Sequence, residues 1–345
     1  MKNRRTSGSE PVGSGVRVPG RRATLATLPL TCAFPHRRAS KEPPIATTVR
    51  TIERTSEPPD LRVGPRVREL WSFREVLFNL VRKELKVKYT GSVLGAIWSL
   101  LNPVVFLAVF TFVAKVLGGA ASDYPVFLLA GLLPWNLFSA SLSQGAVSVI
   151  MNASLVKKVY FPREILPLAT IGVALVDFIL QSAVFLLFIA VRAALFPGFA
   201  LVLHTFWLYP IAFVALLLFT VAVTFLISSV NVRYRDLTHL IALALLVWFW
   251  LTPIVYPIAT VRTTLLDWPY GRLLWRIYLL NPMTWVVSGF QTALYHASDA
   301  SEKLIPLSSD ALGLGLVFVA FASALLLYGT WHVFFGLSGD FAEEL

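Results

Sequence analysis

The 345-residue sequence contains one cysteine, Cys32, and only 14% of its residues are charged. A single cysteine excludes an internal disulfide and a cysteine-ligated metal cluster. The five histidines, at positions 36, 204, 239, 296 and 332, are scattered, and no H-E-x-x-H occurs, so no metal site is expected. A G-x-x-x-x-G-K-[ST] phosphate loop is missing, which excludes nucleotide binding by that route. No G-x-S-x-G nucleophile elbow is present, and no cluster of Asp, Glu or His gathers at the ends of the apolar runs. No catalytic residue and no bound cofactor are therefore expected of this chain.

Low charge excludes something larger. With 56% hydrophobic residues and a mean hydropathy of +0.69, a water-soluble domain of this length would lack polar surface, so the composition is that of a polytopic membrane protein. The net charge of +11 is uneven, because most Lys and Arg precede Ser92. That asymmetry reads as a membrane orientation signal, and no nucleic-acid partner is expected. Residues 1 to 65, rich in Arg, Ser, Thr, Pro and Gly, read as a disordered cytoplasmic tail. The apolar part of "RRATLATLPLTCAF" is too short, and too broken by Pro29, for a signal peptide.

Six apolar runs follow, at about 94–117, 126–150, 165–191, 206–230, 237–256 and 311–335. The hydrophilic connections set their direction. Lys157, Lys158 and Arg163 lie between runs two and three, and Arg233, Arg235 and Asp236 between runs four and five. Together with the basic block before Ser92 they fall on one side, which places both termini in the cytoplasm. The expected fold class is all-α and integral to the membrane: residues 1–65 a tail, 66–92 an amphipathic interfacial helix, and 93–345 a domain of six transmembrane helices. Two short re-entrant helices are expected between spans five and six, where "LLDWPYGRLLWRIYLL" and "LLNPMTWVVSGFQTALYHA" are too short or too interrupted to cross.

The interfacial helix is basic and imperfectly amphipathic. Leu77, Phe78, Val81, Leu85 and Tyr89 share one face, flanked by Arg82, Lys83 and Lys86, with Lys88 interrupting it. Such a helix lies among membrane lipid headgroups with its ammonium groups outward. Thr90-Gly91-Ser92 supplies the bend into span one. Between spans two and three, Lys157, Lys158, Arg163 and Glu164 surround Tyr160, Phe161 and Pro162, a composition suited to docking another protein.

Ionisable residues inside the runs are few: Lys115, Asp177 and Arg192. Asp177 sits in the middle of the third run, with Gln181 one turn on, and reads as a structural hydrogen bond or the wall of a wetted pathway. The aromatics Trp248, Trp250 and Tyr256, in "VWFWLTPIVYP", are denser than interfacial anchoring requires. With Asn281, Pro282 and Trp285 they are candidates for a pathway or gate.

Five stretches carry a family resemblance: "KELKVKYTGSVLGAIWSLLNP", "LLAGLLPWNLFSASL", "LVKKVYFPREILPLA", "VRYRDL" and "LLNPMTWVVSGFQ". In this order and spacing the chain resembles the permease subunits of ABC-2 type exporters for polysaccharides and polyol-phosphates, namely O-antigen, capsule or teichoic acid. The resemblance implies a homodimeric, multi-pass permease of the bacterial inner membrane, driven by a separate ABC ATPase subunit that consumes the ATP. It implies that Lys157–Glu164 is the ATPase-coupling loop, that the basic helix shares that surface, and that the cargo is a lipid-linked glycan. Two competing readings remain: an ABC-2 permease for a small amphiphile, drug or lipid, and a membrane enzyme using Glu164 with Asp236.

Overall fold

The computed structural model of the chain describes residues 63–92, 95, 97–116, 124–195, 204–295, 308–339 and 341–344. Apart from residues 63–65, the stretch read as a tail lies outside them. Among the described residues the secondary structure is entirely helical. In chain order the helices are α1 (Val63–Ser72), α2 (Arg74–Tyr89), α3 (Ile97–Val116), α4 (Tyr124–Met151), α5 (Ala153–Lys158), α6 (Ile165–Leu195), α7 (Leu208–Arg233), α8 (Leu237–Trp250), α9 (Ile258–Leu266), α10 (Gly271–Leu279), α11 (Pro282–Leu294), α12 (Ser309–Ser338) and α13 (Phe341–Glu344).

Four of these are long and apolar enough to cross a membrane: Tyr124–Met151, Ile165–Val191, Leu208–Arg233 and Ser309–Ser338. Helices α3 and α8 fall on the first and fifth apolar runs but are shorter. The basic segment is two helices, α1 and α2, broken at Phe73. A turn follows α2, where Gly91 has φ +78°, a left-handed conformation that suits a residue without a Cβ.

Lipid provides no hydrophobic drive between helices, so close approach depends on small residues. A Cβ on Gly145 of α4 would lie 2.2 Å from Thr224 of α7. Gly315 of α12 lies against the ring of Trp285 on α11, and Gly172 of α6 receives Val81 of α2. Between these contacts sits a core in which Phe127, Phe138, Leu216, Val287, Phe290 and Leu316 are wholly enclosed. A second cluster, with Phe161, Ile165, Phe225, Phe334 and Phe341, ties α7 and α12 to the segment between α5 and α6; Phe73, Leu77 and Leu80 pack on it.

The fifth run departs from a continuous span. Helix α8 stops at Trp250, and residues 251–257 are irregular before α9 begins. Pro253 and Pro257 lack the N–H groups that would continue the ladder. The carbonyls this releases are taken up by side chains. Tyr256 Oη donates to Trp250 O, Asn281 Nδ2 to Leu251 O (3.3 Å), Gln291 Nε2 to Pro253 O (3.0 Å) and Tyr124 Oη to Val255 O (2.7 Å). Buried non-helical backbone must be satisfied in this way. The two stretches expected to hold short helices contain α10 and α11, and a further short helix, α9, precedes them. Asn281 sets the division: its side chain accepts from Met283 N and caps α11 at Pro282, separating it from α10.

Candidate functional site

Three groups of residues stand out, and the structure draws them from positions far apart in the chain. The first surrounds α5. Lys157, Lys158 and Tyr160 are exposed, whereas Phe161, Pro162 and Glu164 are buried and Arg163 is half-buried. The outward part of the predicted loop is therefore its first half, and the second half holds it in place. Glu164, with no side-chain exposure, receives Arg66 Nε on Oε1 (3.1 Å) and Nη2 on Oε2 (3.3 Å). Trp331 Nε1 of α12 also donates to Oε1, at 3.4 Å.

Arg66 completes a small network. Its Nη1 donates to Glu69 at 2.6 Å, and its guanidinium lies 4.6 Å from the Phe335 ring centre. Burial opposes the charge on Arg66, but the hydrogen bond and charge of Glu164, then those of Glu69, outweigh it and hold the guanidinium above its ordinary range. Tyr160 reaches the same Glu69 at 3.5 Å. Arg163 instead lies over Phe341 of α13; burial pushes its guanidinium below its ordinary range, only partly offset by Glu164. Its Nη1 has no hydrogen-bond acceptor among the described residues.

On α2, Arg82, Lys83 and Lys86 point to solvent. Lys88, which breaks the apolar pattern in the sequence, does so for a reason: its ammonium meets Asp177 Oδ2 at 2.5 Å. Tyr89 Oη donates to the other oxygen at 2.7 Å. Asp177 is thus the anchor of the basic helix. Phe78, assigned to the apolar face, is instead exposed, because α2 presents Leu77, Leu80 and Val81 to the bundle.

The second group is the cleft beside that ion pair, a cavity of about 370 Å³ between α4 and α6. Gln181 lines it together with Asn136, whose amide donates to Gln181 Oε1 at 3.3 Å, and with Ser139 and Ser143. Sequence reading missed the three α4 residues. Their signal was available, as polar positions three and four apart in a span that also carries Ser141, Gln144 and Ser148.

The third group forms around α8. Trp248 Nε1 donates to Asn281 Oδ1 at 2.9 Å, and Asn281 Nδ2 to Thr252 Oγ1 at 3.2 Å. Trp250 is exposed, edge-on to Phe110 and Phe249. Trp285 turns away to donate to Leu279 O at 2.8 Å, so it supports the α10–α11 corner and does not join Trp248. Pro282 borders an apolar groove of about 870 Å³ with Leu243, Val247, Leu274 and Tyr278. Arg233, Arg235 and Asp236, all exposed, lie in the α7–α8 turn beside Glu344. No group of three or more His, Cys, Asp or Glu side chains with the arrangement of a metal site occurs among the described residues.

A helical body with four helices long and apolar enough to cross a membrane, a buried-salt-bridge corner, a basic flanking helix and an irregular break after α8 defines a class. The chain belongs to the ABC-2 type transporter family, whose pattern it matches over residues 75–295. Members of this family are membrane transport components that work with an ABC ATPase. The chain is similar to the O-antigen export system permease protein RfbA of Myxococcus xanthus, 31% identical over 280 residues, which cover 81% of this chain and 98% of that protein. Two proteins of the same name from Klebsiella pneumoniae are 33% and 32% identical over 183 residues, 53% of this chain and 69% of theirs.

Proposed function

We propose that this chain is the transmembrane subunit of an ABC exporter that moves a lipid-linked polysaccharide across the bacterial inner membrane, powered by a separate ATPase subunit. The observation that carries the substrate class is the end-to-end likeness to the Myxococcus xanthus O-antigen export permease. In this reading α3 and α8 join the four long helices as spans, both termini are cytoplasmic, and two copies assemble into the conduit. Helices α9 and α10 form an outer gate, and α11, buried against α4, α7 and α12, supports it.

The ATPase docks on Lys157, Lys158 and Tyr160. Closure of the ATPase dimer on ATP displaces this exposed element. Because Glu164 is held at once by Arg66 and Trp331, the displacement is passed to α1 and α12 together instead of being absorbed by a slack loop. The exposed cations Arg82, Lys83 and Lys86 hold α2 against anionic headgroups. No bond in the cargo is broken. Glu164, enclosed and engaged by Arg66, is poorly placed to act as the acid or base that an enzyme would need.

The deciding experiment is deletion of this subunit, with measurement of surface polysaccharide and of co-purification with an ATPase. Loss of the polymer and recovery of the ATPase are expected; an intact surface polymer overturns the reading. A second reading, export of a small amphiphile, is favoured by the apolar groove at Leu243, Val247 and Leu274. It predicts normal surface polysaccharide and altered resistance to amphiphiles in the same deletion strain.

A further inference from the structure

The polar cleft beside Asp177 is at odds with its depth. At 1.5 Å per residue, Asp177 lies about 18 Å along α6 from Ile165, and Ser139 about 18 Å along α4 from Met151. Both positions fall inside the apolar stretches of helices long enough to cross a hydrocarbon core about 30 Å thick. Ser143 and the neighbouring Gln144 are nevertheless exposed, and Asn136 and Ser139 are half-exposed. Polar side chains at this depth face protein or water, not lipid tails.

The chemistry of the lining is specific. Lys88 and Asp177 neutralise one another, so the cleft carries no net charge. Asn136, Gln181, Ser139 and Ser143 add amides and hydroxyls, each able both to donate and to accept. Asp177 presents acceptor oxygens at one wall. An anionic group entering here would meet that carboxylate with Lys88 already engaged, and would lose hydration with no free cation in the lining to offset it. Hydroxyl groups, which donate and accept in turn, match this lining.

Asn136 and Ser139 also line a second cavity, where Phe106, Phe110, Trp135 and Phe249 supply ring faces. The polar cleft and the aromatic cavity therefore meet at these two residues. A hydrogen-bonding wall continuous with aromatic faces suits a ring that is polar at its edges and apolar on its faces.

We propose that the cleft between α4, α6 and the end of α2 is a carbohydrate subsite that receives uncharged sugar units, with the Lys88–Asp177 pair as its neutral wall. It rests on the exporter reading and narrows it: the repeat unit at this point is a neutral glycan, not a polyol-phosphate. Its substrate contacts are made by residues of α4 and α6, outside the ATPase-docking element.

The test uses the full chain with Cys32→Ser as the parent, assembled with its ATPase. Cysteine is placed at Ser143, in the cleft, or at Leu187, on an exposed apolar face of α6, and each is treated with a cationic, water-soluble thiol reagent. Ser143→Cys is expected to react at least tenfold faster than Leu187→Cys. Its modification is expected to lower export of surface polysaccharide at least tenfold, with the complex still assembled and hydrolysing ATP. Three results overturn the subsite: reaction no faster than at Leu187→Cys, unchanged export after modification, or disulfide-linked dimers showing that a second copy covers the cleft. A phosphate-bearing repeat unit in the exported polymer overturns its neutrality. If the Cys32→Ser parent, like the unaltered chain, exports no polysaccharide, the exporter reading fails, and the labelling rates still report whether the cleft holds water.

Discussion

The guanidinium of Arg66 grips both carboxylate oxygens of Glu164 across 98 residues of chain, and the carboxylate it grips is wholly enclosed. Neither residue lies in a long apolar helix. Their pairing fastens α1, the segment between α5 and α6, and, through Trp331, the last long helix to one another. A bidentate pair of this kind gives geometric definition as well as energy.

Removing one partner should therefore do more damage than removing both. Arg66→Ala leaves Glu164 buried without its cation, which costs about 3–5 kcal/mol. The double replacement Arg66→Met with Glu164→Leu should unfold closer to wild type, because the buried charge is gone. Transport should fall in both, since the rigid link is lost in both. Thermal unfolding in detergent and ATP-driven transport, measured side by side, separate the two effects.

Reversing the exposed cations tests the docking element without touching the fastening. Lys157→Glu with Lys158→Glu is expected to lower ATP-driven transport at least tenfold. These lysines also contribute to membrane orientation, so protease protection must show that topology is unchanged. Unaltered transport with correct topology would remove the ATPase contact from this surface.

Asn281 caps α11, accepts from Trp248 and serves two acceptors in the irregular stretch after α8. Asn281→Ala should cost roughly 2–4 kcal/mol, from a lost N-cap and a half-buried indole N–H left without its partner. Limited proteolysis should show new cleavage between Leu251 and Pro257, where the freed carbonyls lie.

Helix α12 offers a matched pair of glycines. A Cβ on Gly315 would sit 2.1 Å from the ring of Trp285, while one on Gly329 meets nothing within 4 Å. Gly315→Ala should destabilise by about 1–3 kcal/mol through overpacking, displacing Trp285 from Leu279 O. Gly329→Ala should be neutral or slightly stabilising, since alanine favours the helix. Melting temperatures of the two variants make the comparison.

Membrane class and the positions of the long apolar helices were legible in the sequence, as was the uneven placing of its basic residues. Each depends on local composition: a long apolar run suits lipid, and a basic connection resists translocation, wherever the chain later packs. The loop at Lys157–Glu164 was legible as a unit, and Asp177 as an anomaly. The break after Trp250 was only half legible. Pro253 and Pro257 announce that the ladder must fail, but not that Tyr124, Tyr256, Asn281 and Gln291 would take up the released carbonyls.

What tertiary structure alone decided is which charges meet. Nothing local to Arg66 points to Glu164, and nothing local to Lys88 points to Asp177; both pairs are made by helix packing across about 90 residues or more. Packing divided the Lys157–Glu164 loop into an exposed half and a buried half. It also gathered Asn136, Ser139 and Ser143 around Gln181. Composition dictates where a segment is stable because solvent transfer is a property of the segment itself. Partner choice depends on the distances and burial that the assembled bundle creates.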